Sequence, residues 1–219
     1  MSQSDEIKLM QAVKSACGPA LAAFSPSSSV PESFWAALTA NECGGNLVRG
    51  DAIQNIKRRE PAVFSHLALV AAGFQPNYGS ITKIAIDHAE DQSLARPTAS
   101  HEAFMATAPS VLPAMATPQE TTITVDDLLR WSTSWGWTQL MGYHALEWGI
   151  AVSDLWSPAL HYGLAARLMA GFVKQYALDP KTEFEPMARC WNTGGPEGKT
   201  YDPAYVPNLL SRMEAWDKL

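Results

Sequence analysis

Glu42 closes an apolar run, Phe34-Trp35-Ala36-Ala37-Leu38-Thr39-Ala40-Asn41, and is followed by Cys43-Gly44-Gly45. A helix that opens at Pro31 and is stopped by Gly44-Gly45 would put this carboxyl on its last turn or just past it. Unpaired carbonyls and the negative end of the helix dipole gather there, and both disfavour the charged carboxylate. The pKa of Glu42 should therefore rise until it holds a proton near neutral pH, as a general acid must. A Glu at a helix end that simply points to water is the plainer alternative. Two carboxylates further on, Asp51 and Glu60, are candidates to activate a water or to stabilise positive charge beside such an acid. Glu60 precedes Pro61 at a helix start, where an acidic residue is favourable for capping reasons alone, so both readings of it stand.

A second chemistry-bearing string is Ser134-Trp135-Gly136-Trp137-Thr138-Gln139-Leu140-Met141-Gly142. Gly136 and Gly142 would let backbone approach a ligand closely, and Gln139, if buried, must find hydrogen-bond partners. At least two of Trp135, Trp137, Leu140 and Met141 are expected simply to fill the core. A third string, Arg189-Cys190-Trp191-Asn192-Thr193-Gly194, carries an indole and an amide side by side.

Elements that could position these groups follow from periodicity. Helices are expected from Glu6 to Ala16, ending in a loop at Gly18-Pro19, and from Pro31 to about Asn41. The polar stretch 46–59 is expected to hold a short strand or hairpin, and further helices run from Glu60-Pro61 to Gly73 and from Ser80 through Ile86. Residues 91–122, rich in Pro, Ala, Thr and Ser, read as an inserted loop region with one short helix near His101 to Thr107. Thr124 caps a helix into Trp131, Ser157-Pro158 opens the longest helix to about Tyr176, Asp179-Pro180 precedes another, and Asp202-Pro203 opens the last, through Trp216. Seven to ten helices with little strand, in one domain over 1–219 whose residues 1–30 form an N-terminal helix and loop, make a mainly α protein.

Composition narrows the function. With 219 residues, 47% of them hydrophobic, the chain can bury a sizeable core, and its net charge of −6 argues against an electrostatic nucleic-acid binder. The triplet Lys57-Arg58-Arg59 reads as a solvated surface. No stretch is long enough to span a bilayer, and the start Met1-Ser2-Gln3-Ser4-Asp5-Glu6 lacks the basic, apolar pattern of a secretory signal. Five His and three Cys, the latter at 17, 43 and 190, show no metal-ligand spacing, so neither a metal nor another cofactor is expected. The loop Gly194-Gly195-Pro196-Glu197-Gly198-Lys199-Thr200 has the wrong spacing for a phosphate loop.

The strings together resemble a known family. Phe34 to Gly45 is similar to the Glu-Ser-Gly box of lytic transglycosylases and goose-type lysozymes, and Trp135 to Gly142 resembles their Gly-x-x-Gln-x-Met box. The second is closer still to the Ser-Trp-Gly-x-x-Gln-x-Met-Gly string of phage-type N-acetylmuramidases, and Arg189 to Gly194 resembles the third box, Ala-Tyr-Asn-Ala-Gly. The boxes occur in the family's order and span most of residues 32–216. The resemblance implies a lysozyme-like helical domain with a central cleft, acting on the β-1,4 bond between N-acetylmuramic acid and N-acetylglucosamine in peptidoglycan. It implies Glu42 as catalytic acid, with Cys43, Gln139, Met141, Trp191 and Asn192 at substrate-binding positions and Glu60 beside the cleft. Two departures stand out. Trp191 replaces a Tyr whose phenol lies near the acid, and Cys43 replaces a Ser; a small buried hydrophobe is as natural a reading of Cys43 as a substrate contact.

If Glu42 works alone, also as base, the product is a 1,6-anhydro sugar and the enzyme a lytic transglycosylase. If Glu60 or Asp51 activates water, it is a hydrolysing muramidase. A catalytically silent glycan-binding module and a chitinase-like or chitosanase-like glycosidase are the rival readings. The resemblance further implies action outside the cytoplasm, reached by phage or secretion apparatus or after loss of a signal, and Cys43 and Cys190 in one neighbourhood; a monomer is expected, and reduced thiols, because a disulfide demands a narrow geometry.

Overall fold

The structure, a computed structural model, describes residues 3–60, 63–64, 67 and 125–219. Seven α-helices and one small three-stranded antiparallel sheet lie among them, the mainly helical class with a short hairpin that the sequence predicts.

Helix α1 (Gln3–Phe24) carries Met10, Val13, Cys17 and Leu21 in a fully buried stripe. That stripe continues past Gly18-Pro19, where a loop is expected from the sequence. Pro19 forfeits the bond to the carbonyl of Ser15, and burial of Leu21 beyond it keeps the helix going.

Helix α2 (Glu32–Val48) is buried on every side from Ser33 to Ala40, which makes it the central helix. It packs most extensively against α1 and against the last helix, Tyr205–Trp216. The expected stop at Gly44-Gly45 does not occur. A Cβ at Gly44 would lie 2.6 Å from Leu9 Cδ1, so glycine lets α1 close onto α2, offsetting the roughly 1 kcal/mol that a mid-helix glycine costs. The chain leaves the helix at Arg49 and turns at Gly50, whose φ is +80°.

Strand β1 (Lys57–Arg59) fills the place expected for a short strand, and Val63, Phe64 and Leu67 beyond it are helical and buried. The remainder of the helix to Gly73, the helix from Ser80, the short helix near His101 and the region 91–122 lie outside the described residues.

Helix α3 (Val125–Trp131) leads into a hairpin of β2 (Thr133–Trp135) and β3 (Leu140–Met141), followed by α4 (Tyr143–Trp148). Then come α5 (His161–Tyr176), α6 (Phe184–Thr193) and α7 (Tyr205–Trp216). With 16 residues α5 is shorter than α1, which has 22 and is the longest described helix. Strand β2 lies in the middle of the sheet, with Arg58 opposite Ser134 and Ser134 opposite Met141. Directly opposed residues share a face, so Arg58, Ser134 and Met141 form one row, and Lys57, Trp135 and Leu140 the other. Among the described residues no helix is long and apolar enough to cross a membrane.

Candidate active site

Glu42 lies inside α2, which continues to Val48, so the helix end cannot be what perturbs it. Its side chain is half-buried, and the hydroxyl of Tyr205 donates a hydrogen bond to Oε1. Burial pushes the carboxyl from its ordinary 4.5 up to about 7. The Tyr205 bond and the positive charge of Arg58 pull it down, and the negative charge of Glu60 adds to the rise. The expected direction is there, produced by burial instead of by the helix dipole.

Tyr205 is the first residue of α7 and is missed by the sequence reading, because nothing local marks it. Asn41, the neighbour of Glu42, holds it in place: its Nδ2 donates to the Tyr205 carbonyl at 2.8 Å, while its Oδ1 accepts from Arg212 Nη1. Arg212 in turn donates through Nε to Glu6 Oε2 at 3.0 Å, and the two charged side chains are only 6% and 13% exposed. One continuous chain of bonds thus runs from α1 through α7 to the residue beside the acid. Burial and the adjacent charge of Glu42 raise the Tyr205 phenol well above its ordinary 10, so it stays a donor. A phenol therefore reaches the acid from α7, and Trp191 does other work.

Of the two further carboxylates, Glu60 is the one whose charge bears on Glu42. Glu60 is buried, its charge is felt at Glu42, and it pairs with Arg58 Nε at 3.3 Å. Alternation puts Arg58 and Glu60 on one side of the chain at β1, a pattern of spacing two that the sequence displays but that the solvated-surface reading of Lys57-Arg58-Arg59 passes over. Asp51 is engaged elsewhere: it accepts from Asn46 Nδ2 at 3.0 Å and from Arg49 Nη2 at 3.1 Å at the end of α2.

Gln139 occupies the β2–β3 turn with φ +57°. Its Oε1 accepts from Ser134 Oγ at 2.9 Å and its Nε2 donates to the Gly136 carbonyl at 2.8 Å, so the amide closes its own hairpin. Ser134 Oγ also lies 3.2 Å from the Arg58 carbonyl, which ties β1 into the same cluster. Met141 is half-buried in the same row as Arg58 and Ser134. Trp135, Trp137 and Leu140 are core, as expected for at least two of the four.

The glycines of this string serve internal packing. A Cβ at Gly136 would meet His161 Cε1 at 2.7 Å, and one at Gly142 the Arg130 carbonyl oxygen at 2.0 Å. His161 fixes the turn: its Nδ1 donates to the Leu155 carbonyl at 2.6 Å, which leaves Nε2 to accept from the Thr138 backbone N–H at 3.0 Å. Complete burial lowers its pKa from 6.5 to about 4, so the ring is neutral. From the other side Trp191 Nε1 donates to the Thr138 carbonyl at 3.1 Å, joining α6 to the hairpin, and its ring meets Trp35 edge-on.

Asn192, next along α6, has a buried Oδ1 without a hydrogen-bond partner among the described residues. Cys43 is buried and free, as are Cys17 and Cys190. Burial raises the Cys43 thiol well above its ordinary 9, and the thiol near enough to influence it is Cys17. Cys43 thus packs between α1 and α2 as a small hydrophobe.

Two grooves of about 480 Å³ lie elsewhere, one between residues 24–30 and α5, the other between α6 and α7, and Glu42 lines neither. Among the described residues no three His, Cys, Asp or Glu side chains gather as metal ligands would. No protein-family model, curated protein or solved structure matches this chain.

Proposed function

We propose that this protein cleaves the glycan strand of peptidoglycan, with Glu42 donating the proton to the glycosidic oxygen. The observation that carries this reading is the half-buried Glu42 carboxyl, bonded to Tyr205 and holding its proton up to about pH 7. A carboxylic acid still protonated near neutrality is what departure of a sugar alkoxide requires. The similarity of the three strings to the boxes of lytic transglycosylases and N-acetylmuramidases supplies the substrate.

Hydrolysis is favoured over transglycosylation by one feature, the second buried carboxylate near the acid. Glu60 can hold a water for attack on the anomeric carbon, whereas formation of the anhydro sugar needs a single carboxyl group. Digestion of purified sacculi followed by mass spectrometry tests both points. Products with reducing ends are expected; products lighter by one water would make the protein a transglycosylase. Binding to the cell wall without release of fragments would make it a silent glycan-binding module, and cleavage confined to chitin oligomers would move it to a different glycosidase class.

A further inference from the structure

Arg58 is unusual for a residue so near the acid. Its side chain is 74% exposed, yet its partner Glu60 is only 7% exposed. An ion pair with one member so open to water adds little to stability, between about 0 and 1 kcal/mol. The pair uses Nε, and among the described residues neither Nη group has a hydrogen-bond partner. An arginine fork presents two parallel N–H groups in the geometry that fits a carboxylate.

Its place in the sheet points the same way. Arg58, Ser134 and Met141 share one face, and Gln139 is bonded to Ser134 on that cluster. Lys57, on the opposite face, lies over the Trp135 ring at 5.5 Å. Arg58 is thus the cation of the triplet that the register sets beside the site. The chain as a whole carries −6, so an acidic polymer meets net repulsion and needs a local cation where it docks.

We infer that Arg58 forms an anion subsite beside Glu42 and Glu60 that takes a carboxylate borne by the glycan, and so selects acidic, carboxylate-bearing sugars over neutral N-acetylglucosamine polymers. The inference rests on the glycan-cleaving reading and deepens it. Arg58 is a specificity residue here: it grips a substituent of the sugar while the reacting bond lies with Glu42. A muramic acid residue without a stem carries such a carboxylate on its lactyl arm, and a peptide stem, which takes up that group as an amide, brings carboxylates of its own; the subsite accepts the shared chemistry.

The experiment compares solubilised glycan fragments with their natural carboxylates against the same fragments whose carboxylates have been amidated. Arg58→Gln should raise KM roughly tenfold or more on the acidic fragments, the scale of one lost charge-assisted hydrogen bond, and leave KM on amidated fragments unchanged. Arg58→Lys should recover part of the loss, and added salt should weaken the wild type towards the variant. Equal losses on both substrates, or none on either, would overturn the subsite; equal losses would mean that Arg58 serves only to hold Glu60. The same pairs are measured for binding by calorimetry in the Glu42→Gln background. If the wild type cleaves neither substrate, the glycan-cleaving reading fails, while preferential binding of the acidic fragment, abolished by Arg58→Gln, still decides the subsite. Absence of that preference sinks it.

Discussion

On one side of the site, Glu42 is held through Asn41, Tyr205, Arg212 and Glu6, a chain that contains a formal ion pair and a carboxyl poised to titrate near neutrality. On the other, the Gln139 hairpin is held by Ser134, His161, Thr138 and Trp191, all uncharged at neutral pH. The first region gains its chemistry from burying charge; the second gains a fixed shape by excluding it. Their pH responses therefore have opposite sign. Folded Glu42 holds its proton up to about 7 against an ordinary 4.5, so the folded state binds more protons in that window and its stability falls as pH rises. Folded His161 releases its proton down to about 4 against an ordinary 6.5, so the unfolded state binds more protons there and stability falls as pH drops. Between about 4.5 and 6.5 the two slopes oppose each other.

The largest expected effect comes from removing the carboxyl that the proposed reaction uses as its proton donor. Glu42→Gln should cut glycan cleavage by at least about 10²-fold with the fold intact. Retention of more than about a tenth of the wild-type rate would remove Glu42 from the acid role, well short of the loss a general acid should cause. Next is the ion pair behind it. Arg212→Leu leaves the half-buried Glu6 unpaired and Asn41 Oδ1 without its donor, and should cost about 3 kcal/mol in denaturant unfolding. Adding Glu6→Gln should recover much of this, since no uncompensated charge remains; failure to recover would mean that packing of the Arg stem, not charge, holds α7.

The opposed slopes can be separated by measuring melting temperature against pH. In Glu42→Gln the fall in stability from pH 6.5 to 4 should steepen, because the His161 contribution, at most on the order of 3 kcal/mol, is no longer countered. In His161→Gln the slope should reverse, stability rising as pH falls from 7 to 4.5, along with a general loss of about 1–3 kcal/mol for the orphaned Thr138 N–H. Identical profiles in the two variants would refute the division. The smallest effect on stability is expected of Asn192→Ala, which removes an oxygen without a hydrogen-bond partner among the described residues. Melting should shift by less than the ~1 kcal/mol of a typical hydrogen bond, while activity falls if that oxygen meets the sugar. A large melting shift with normal activity would assign Asn192 to the fold.

The helical class was legible because apolar spacing survives in helices whatever their neighbours. The ends were less so. Gly44 and Pro19 carry strong local signals to stop, and both lie within helices because tertiary packing outweighs about 1 kcal/mol for the glycine and ~3 kcal/mol for the proline. Glu42 stands out in the sequence, but the helix end that would raise its pKa lies further on, at Val48, because packing extends α2. Tyr205 and Arg212 were invisible for a different cause: their bearing on Glu42 comes from α7 lying along α2, a contact that no local pattern encodes. Gln139 stood out as a candidate substrate contact, and what the sequence does not announce is that its side chain closes the turn of its own hairpin.

The bond from Tyr205 to Glu42 joins residues 163 positions apart, and that from Arg212 to Glu6 spans 206. Synthesis proceeds from the N-terminal side at about 5–20 residues per second, so α2 emerges some seconds, on the order of ten, before α7 does. Through that interval Glu42 has neither its hydroxyl donor nor the helix that shields it from water, and its carboxyl is an ordinary ionised one. A Glu42 carboxyl that keeps its proton near neutrality therefore arrives last, when α7 docks, and a chain interrupted before residue 205 would carry Glu42 as an ordinary carboxylate.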